Sequence, residues 1–165
     1  MEPLISGEVL RLSGHHNLLN TLTAFAIGTI LDLPLKSMVK GALDFKGLPH
    51  RCELIAEINS VRFIDDSKAT NIAATLAAIN GLADDGPIWL ILGGQKKGQD
   101  FSLLKNGVSN HCLSVYVLGE AATEITEQLR DKVPVHKVVS LESAISLVMP
   151  QAKPGDIVLL SPACA

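Results

Sequence analysis

The sequence has no surplus of positive charge: 14 Lys and Arg against 17 Asp and Glu leave a net charge of -3. That argues against nucleic acid as a partner, because neutralising phosphates needs Lys and Arg clustered on one face. No apolar run approaches the ~20 residues of a membrane span. The opening MEPLISGEVLRLSG also lacks the basic and apolar regions of a secretory signal. No membrane span is expected, and a cytoplasmic location is the default. The three cysteines, Cys52, Cys112 and Cys164, have no C-x-x-C spacing, and an odd count in a small chain makes no disulfide framework. Buried, reduced thiols are expected. The five histidines show no H-E-x-x-H spacing, which argues against a zinc site. No G-x-S-x-G elbow, G-x-x-x-x-G-K-S/T loop or G-x-G-x-x-G turn occurs. The chain by itself lacks the parts for hydrolytic catalysis.

What is present is 165 residues, 47% apolar and 19% charged, enough for one α/β domain, or for one domain with a remnant of another. The chain closes on IVLLSPACA, a strand and loop with no helix to finish the unit, so a fragment is expected.

Near the start, Leu18, Leu19, Leu22, Phe25, Ala26 and Ile30 recur close to a 3.6-residue period, with Ser13 or Gly14 in capping position. A second helical pattern after Pro34, carried by Leu35, Met38, Val39, Ala42 and Leu43, breaks at Gly47 and Pro49. A boundary is placed there, giving residues 1–47 and 48–165. Leu54 and Ile55, an Asn59-Ser60 turn, then Val61, Phe63 and Ile64 predict a hairpin. Beyond it, apolar runs at 88–92, 113–118, 135–139 and 157–160 alternate with helical spacing at 72–82, 101–105, 121–130 and 141–149. That alternation predicts a Rossmann-like α/β domain, a mostly parallel sheet with helices on both faces.

Ligands on such sheets lie beyond the carboxyl ends of the strands. Two strand ends hold most of the polar chemistry, DDSKATN at 65–71 and GGQKKGQDF at 93–101. In the first, Asn71 or Thr70 can cap the next helix while Asp65 and Asp66 favour its dipole. The same turn can hold a carboxylate or phosphate through Ser67, Lys68 and Thr70, or its acids a ribose hydroxyl or magnesium. In the second, Gly93 and Gly94 let backbone approach a ligand, with Lys96 and Lys97 following as ligand contacts or as solvated charges.

In order across residues 14–165, GHHNLLN, GLPHRCE, FIDDSKATN, ILGGQKKGQDF and LLSPACA resemble the Mur ligase superfamily, most of all its D-glutamate-adding branch of peptidoglycan synthesis. The resemblance implies a three-domain, ATP- and Mg2+-dependent, monomeric enzyme that activates UDP-N-acetylmuramoyl-L-alanine as an acyl phosphate, which D-glutamate then attacks. By the same resemblance Asn17 and Asn20 lie near adenine, Arg51 contacts ATP phosphate and Asp66 the ribose. Lys68, Thr70 and Lys97 bind the D-glutamate carboxylates. Asp65 keeps a structural role. The family's GTNGK-type phosphate loop, most of its magnesium ligands, its UDP-binding domain and a late serine and phenylalanine have no counterpart here, so the chain alone is expected to be inactive. Another Mur or folylpolyglutamate-type ligase domain is the alternative. A receiver-like signalling domain is more remote, as its middle strand should end in aspartate where this one ends in LGGQ.

Overall fold

The computed structural model describes residues 9–10, 15–96 and 98–165. Ser13, Gly14 and Lys97, singled out above, lie outside the described residues. The elements follow the sequence rhythm closely. Helix α1 spans His15–Ile30 and α2 Leu35–Asp44; strands β1 (Glu53–Ile58) and β2 (Val61–Asp65) form the hairpin; α3 spans Ile72–Leu82 and β3 Ile88–Gly93. A 3-10 turn at Phe101–Leu104 runs into α4 (Lys105–His111), followed by β4 (Cys112–Leu118), α5 (Ala122–Leu129), β5 (Val135–Lys137), α6 (Leu141–Val148) and β6 (Ile157–Leu160). The helix expected at 101–105 is thus only the start of a longer one.

The hairpin turns at Asn59 and Ser60, whose φ of 54° and 60° give the two left-handed residues that match strand twist. Antiparallel pairing sets Glu53 against Asp65 and Ile58 against Val61. From β2 onward every strand pairing is parallel, and the sheet order is β1-β2-β6-β3-β4-β5. The last strand therefore enters the middle, between β2 and β3.

Strand β3 is buried on both sides, which is why it reads as an unbroken apolar run. Ile88, Leu90 and Leu92 join Ile64, Val115, Val117, Ile157 and Leu159 on one face, packed against Ile79 and Leu82 of α3, Val108 of α4 and Ile125 of α5. Trp89 and Ile91 join Phe63, Tyr116 and Val158 on the other, under Ala144 and Val148 of α6. Burying each large aliphatic side chain there contributes about 1.5–3 kcal/mol before conformational entropy is subtracted. Trp89 Nε1 donates to Asp156 Oδ2 at 2.9 Å, so the indole brings its polar edge into the core with a partner.

Helix α1 departs from its apolar pattern. Phe25 and Gly28 are buried, yet Leu19, Leu22, Ile27 and Ile30 stay 50–81% exposed. The helix is apolar on more than one side, and α2 and α3 pack against only part of it.

The Gly93-Gly94 pair also differs from expectation. At Gly93, with φ of 120°, an added Cβ would collide with the Leu118 carbonyl; at Gly94 it would lie 2.6 Å from the Ala165 oxygen. These glycines admit the chain's own backbone. Gly93→Ala is expected to lower stability by about 3 kcal/mol, combining a left-handed φ with a backbone clash. Gly98→Ala, at φ 68° but in open space, should cost about 1 kcal/mol. Urea midpoints measure both; equal shifts would contradict the clash.

Candidate functional site

At the carboxyl edge of the sheet, β2 opens into the turn 66–71. Asp66 N donates to the Leu160 carbonyl at 2.8 Å, extending the β2–β6 pairing by one residue. Ala69 N returns to Asp66 O at 2.8 Å and Thr70 N to Lys68 O at 2.9 Å, which closes the turn. Asn71 then caps α3: its side chain accepts from Ala74 N at 2.9 Å. Lys68 and Thr70 remain exposed, and among the described residues no ion pair involves the Lys68 ammonium.

Asp66 is only 7% exposed. Its Oδ1 accepts from Cys52 N at 3.2 Å and its Oδ2 from the Ser161 hydroxyl at 2.8 Å. Ser161 Oγ also lies 3.0 Å from Thr75 Oγ1, and the Thr75 hydroxyl donates to Ser161 O at 3.2 Å. Sequence reasoning missed Ser161 and Thr75. Their signals were a serine directly after the last strand and a threonine on the buried Ile72–Thr75–Ile79–Leu82 stripe of α3.

The closing segment staples the strand-end loops together. Ala163 N donates to Ala69 O at 2.9 Å, Gly93 N to Pro162 O at 2.9 Å and Gln95 N to Ala165 O at 2.9 Å. Gln99 Nε2 reaches Thr70 O at 3.4 Å, so the glycine-lysine loop lies against the Lys68-Thr70 turn. Lys96 is engaged elsewhere, pairing with Glu124 Oε2 at 3.0 Å.

Asn17, Asn20 and Arg51 meet at a different place. With Thr21, Phe25, Met38, Phe45 and Leu48 they line a cavity of about 460 Å³ between α1, α2 and the segment that follows. Two carboxamides, which donate and accept, and one guanidinium are set in an otherwise largely apolar wall. Cavity and strand-end turn touch through the chain between them: Lys68 N donates to His50 O at 3.1 Å, and Arg51 and Cys52 follow directly.

Asp65 faces His50, whose Nδ1 lies 2.7 Å from Asp65 Oδ2, while Asp65 Oδ1 accepts from Ser67 N at 2.8 Å. Burial raises the Asp65 pKa, but the hydrogen bonds from His50 and Ser67 outweigh it and leave the carboxyl below its ordinary value.

All three cysteines are free, with Cys112 and Cys164 buried and Cys52 half-buried. Burial, reinforced by the Asp66 carboxylate, pushes the Cys52 thiol up to about 12, and burial alone takes Cys112 to about 12. Raised from 9.0 to about 12, each carries roughly a thousandth of the ordinary thiolate fraction near neutral pH. Iodoacetamide at pH 7.5 is therefore expected to label Cys52 and Cys112 at least a hundredfold more slowly in the folded chain than in urea. Labelling of Cys52 at the unfolded rate, read by peptide mass mapping, would refute this.

Comparison with known proteins gives a consistent set. The family described as "Mur ligase, glutamate ligase domain" matches residues 50–164. The UDP-N-acetylmuramoylalanine–D-glutamate ligase of Acinetobacter baylyi is 42% identical over 167 residues, covering 98% of this chain and 37% of its own length. That of Legionella pneumophila is 44% identical over 167 residues, covering 100% and 37%. The chain thus spans little more than a third of these relatives. Among solved structures, the UDP-N-acetylmuramate–alanine ligase of Thermotoga maritima superposes with a TM-score of 0.73 at 17% identity, covering 93% of this chain and 36% of that one. The MurF ligase of the same organism, in complex with ADP, gives 0.70 at 19% identity, covering 89% and 34%. At those identities the likeness is one of fold.

Proposed function

The chain belongs to the Mur ligase family, and from that premise we propose its part in the reaction. It is the portion of a UDP-N-acetylmuramoyl-L-alanine:D-glutamate ligase that supplies the amino-acid site and one wall of the ATP site. Residues 1–47 close the central ATP-binding domain and residues 48–165 form the C-terminal domain. The parent is a monomeric enzyme of the cytoplasm that serves cell-wall synthesis and, through it, cell division.

The observation that carries this reading is the meeting of Asn17, Asn20 and Arg51 on one cavity, one short turn from Lys68 and Thr70. A cavity of about 460 Å³ suits a nucleoside. Its carboxamides match the donor and acceptor edge of adenine, and Arg51 matches phosphate. Asp66 is tied to the same wall through the contact of its Oδ1 with Cys52 N, and its carboxylate is the acceptor assigned to a ribose hydroxyl. ATP fits the donor set on this wall. Mg2+, which would neutralise phosphate charge, takes most of its ligands from the part of the parent outside this chain.

D-Glutamate carries two carboxylates. Two cations, Lys68 and Lys97, with the Thr70 hydroxyl and the N-terminus of α3 answer that charge. Held so, the amino acid can present its amine to the substrate carboxyl once that is activated as an acyl phosphate, which divides a difficult amide formation into two feasible steps. The staple at 161–165 has the task of keeping both lysine-bearing loops at one spacing, since small displacements of a bound nucleophile are costly in rate.

Titration of this chain with ADP and with D-glutamate, followed by NMR, tests the division of labour. Arg51→Ala should weaken ADP by about tenfold or more, and Lys68→Ala should weaken D-glutamate while sparing ADP, each losing a charge-assisted contact of about 1.5–3 kcal/mol. If Arg51→Ala leaves ADP binding unchanged, the cavity is not the nucleotide site. A preference for lysine or diaminopimelate over D-glutamate would move the chain to another branch of the family. In the intact ligase, Lys97→Ala should raise the KM for D-glutamate far more than that for ATP; equal effects would remove Lys97 from the amino-acid site. The chain alone, given all three substrates, should release no phosphate above background, and release would overturn its reading as a partial site.

A further inference from the structure

Between the cavity and the strand-end turn stands a group of side chains that the reading above does not use. His50, Glu53 and Asp65 each offer one ligand atom, a ring nitrogen or a carboxylate oxygen, and these atoms all lie within 4.8 Å of one another. We propose that the three form a binding site for a divalent first-row transition cation.

Sheet register supplies an argument independent of the side-chain contacts. Glu53 and Asp65 are cross-strand partners at the open end of the β1–β2 hairpin. Like charges directly opposite one another on neighbouring strands repel. The Asn59-Ser60 turn and the Ile58–Val61 pairing fix the register, so the carboxylates cannot slide apart. Among the described residues, the one basic side chain in ion-pair contact with either carboxylate is the His50 imidazole, which is charged only if protonated. A divalent cation would neutralise both acids while using the same imidazole as a ligand.

The geometry is near what a small ion requires. Ligands about 2.0–2.2 Å from a common ion lie at most about 4.4 Å apart. Neighbouring ligands in a tetrahedral shell lie closer, about 3.3–3.6 Å apart, so side-chain rotations of up to about 1 Å, open to the exposed His50 imidazole, would close this set. The backbone holds the ligands in place: His50 N donates to Glu53 Oε2 at 2.9 Å, and Ser67 N holds the other oxygen of Asp65 at 2.8 Å. The His50 side chain is 53% exposed and that of Asp65 16%, which leaves outer coordination positions to water or to an anionic ligand. One imidazole with two carboxylates selects manganese, cobalt or zinc over magnesium and calcium, which prefer all-oxygen shells.

Mn2+ is the probe of choice, since it is paramagnetic and has little affinity for thiols. Added to this chain after chelator treatment, it should occupy one saturable site per chain, measured by loss of the free-ion EPR signal. Amide resonances of residues 50, 53 and 65 should broaden before those around Glu124 and Lys96. Glu53→Gln and His50→Ala should each weaken binding by about tenfold or more, the scale on which metal sites respond to losing a supporting group. Thermal melts of the variants check the fold, and the broadening pattern of the unsubstituted chain decides the matter if either variant fails to fold. No saturable site at free Mn2+ up to about 1 mM, broadening centred elsewhere, or affinity unchanged in folded Glu53→Gln would each overturn the site. Displacement by an equal concentration of Mg2+ would overturn the proposed selectivity.

Discussion

The arrangement depends on where the last strand goes. β6 is the final element of the chain, yet it lies between β2 and β3 and hydrogen-bonds to both. Without it the hairpin has no connection to the rest of the sheet, and Ile157 and Leu159 would leave a gap in one core while Val158 left one in the other. Parallel pairing between such distant segments carries a large loop-closure cost. Everything at the carboxyl edge depends on it.

The residues beyond β6 finish the site. Ser161 bonds the buried Asp66, Ala163 ties to Ala69, and Pro162 and Ala165 accept from Gly93 and Gln95. Five consecutive residues thereby fix the spacing between the Lys68-Thr70 turn and the glycine-lysine loop. Gly93 and Gly94 are needed because two carbonyls, from Leu118 and Ala165, come too close for a side chain. Within this small region carboxylate, hydroxyl and amide groups satisfy each other, and the exposed Lys68 cation is held out toward solvent. That division, hydrogen-bonded groups below and above them a cation with no ion pair among the described residues, is one that suits an anion.

The cavity wall is built on another principle. No residue of α2 is buried, and much of α1's apolar surface is exposed. Their approach at Gly28 against Met38, together with the non-helical segment from Phe45 to Arg51, which turns at 49–50, shapes the cavity. His50 and Arg51 then lead directly into the hairpin. One stretch of a few residues therefore borders the cavity, receives the Lys68 backbone bond and contributes His50 and Glu53 to the carboxylate cluster with Asp65.

Periodicity and turn chemistry, which act within a few residues, determined the helices, the hairpin and its turn, the parallel character of the sheet and the polar strand ends where chemistry resides. Motif order identified the family and named Asn17, Asn20, Arg51, Asp66, Lys68, Thr70 and Lys97. Only the tertiary structure decided which of these stand together. It drew Asn17, Asn20 and Arg51 to one cavity, buried Asp66 beneath Ser161 and Thr75, turned Lys96 to Glu124, and gave the double glycine to backbone packing. It also set Glu53 opposite Asp65 beside His50. Contacts of this kind join residues up to 95 positions apart. Spacing along the chain carries no information about them; they follow from strand order and register, which the long-range burial of two apolar faces imposes.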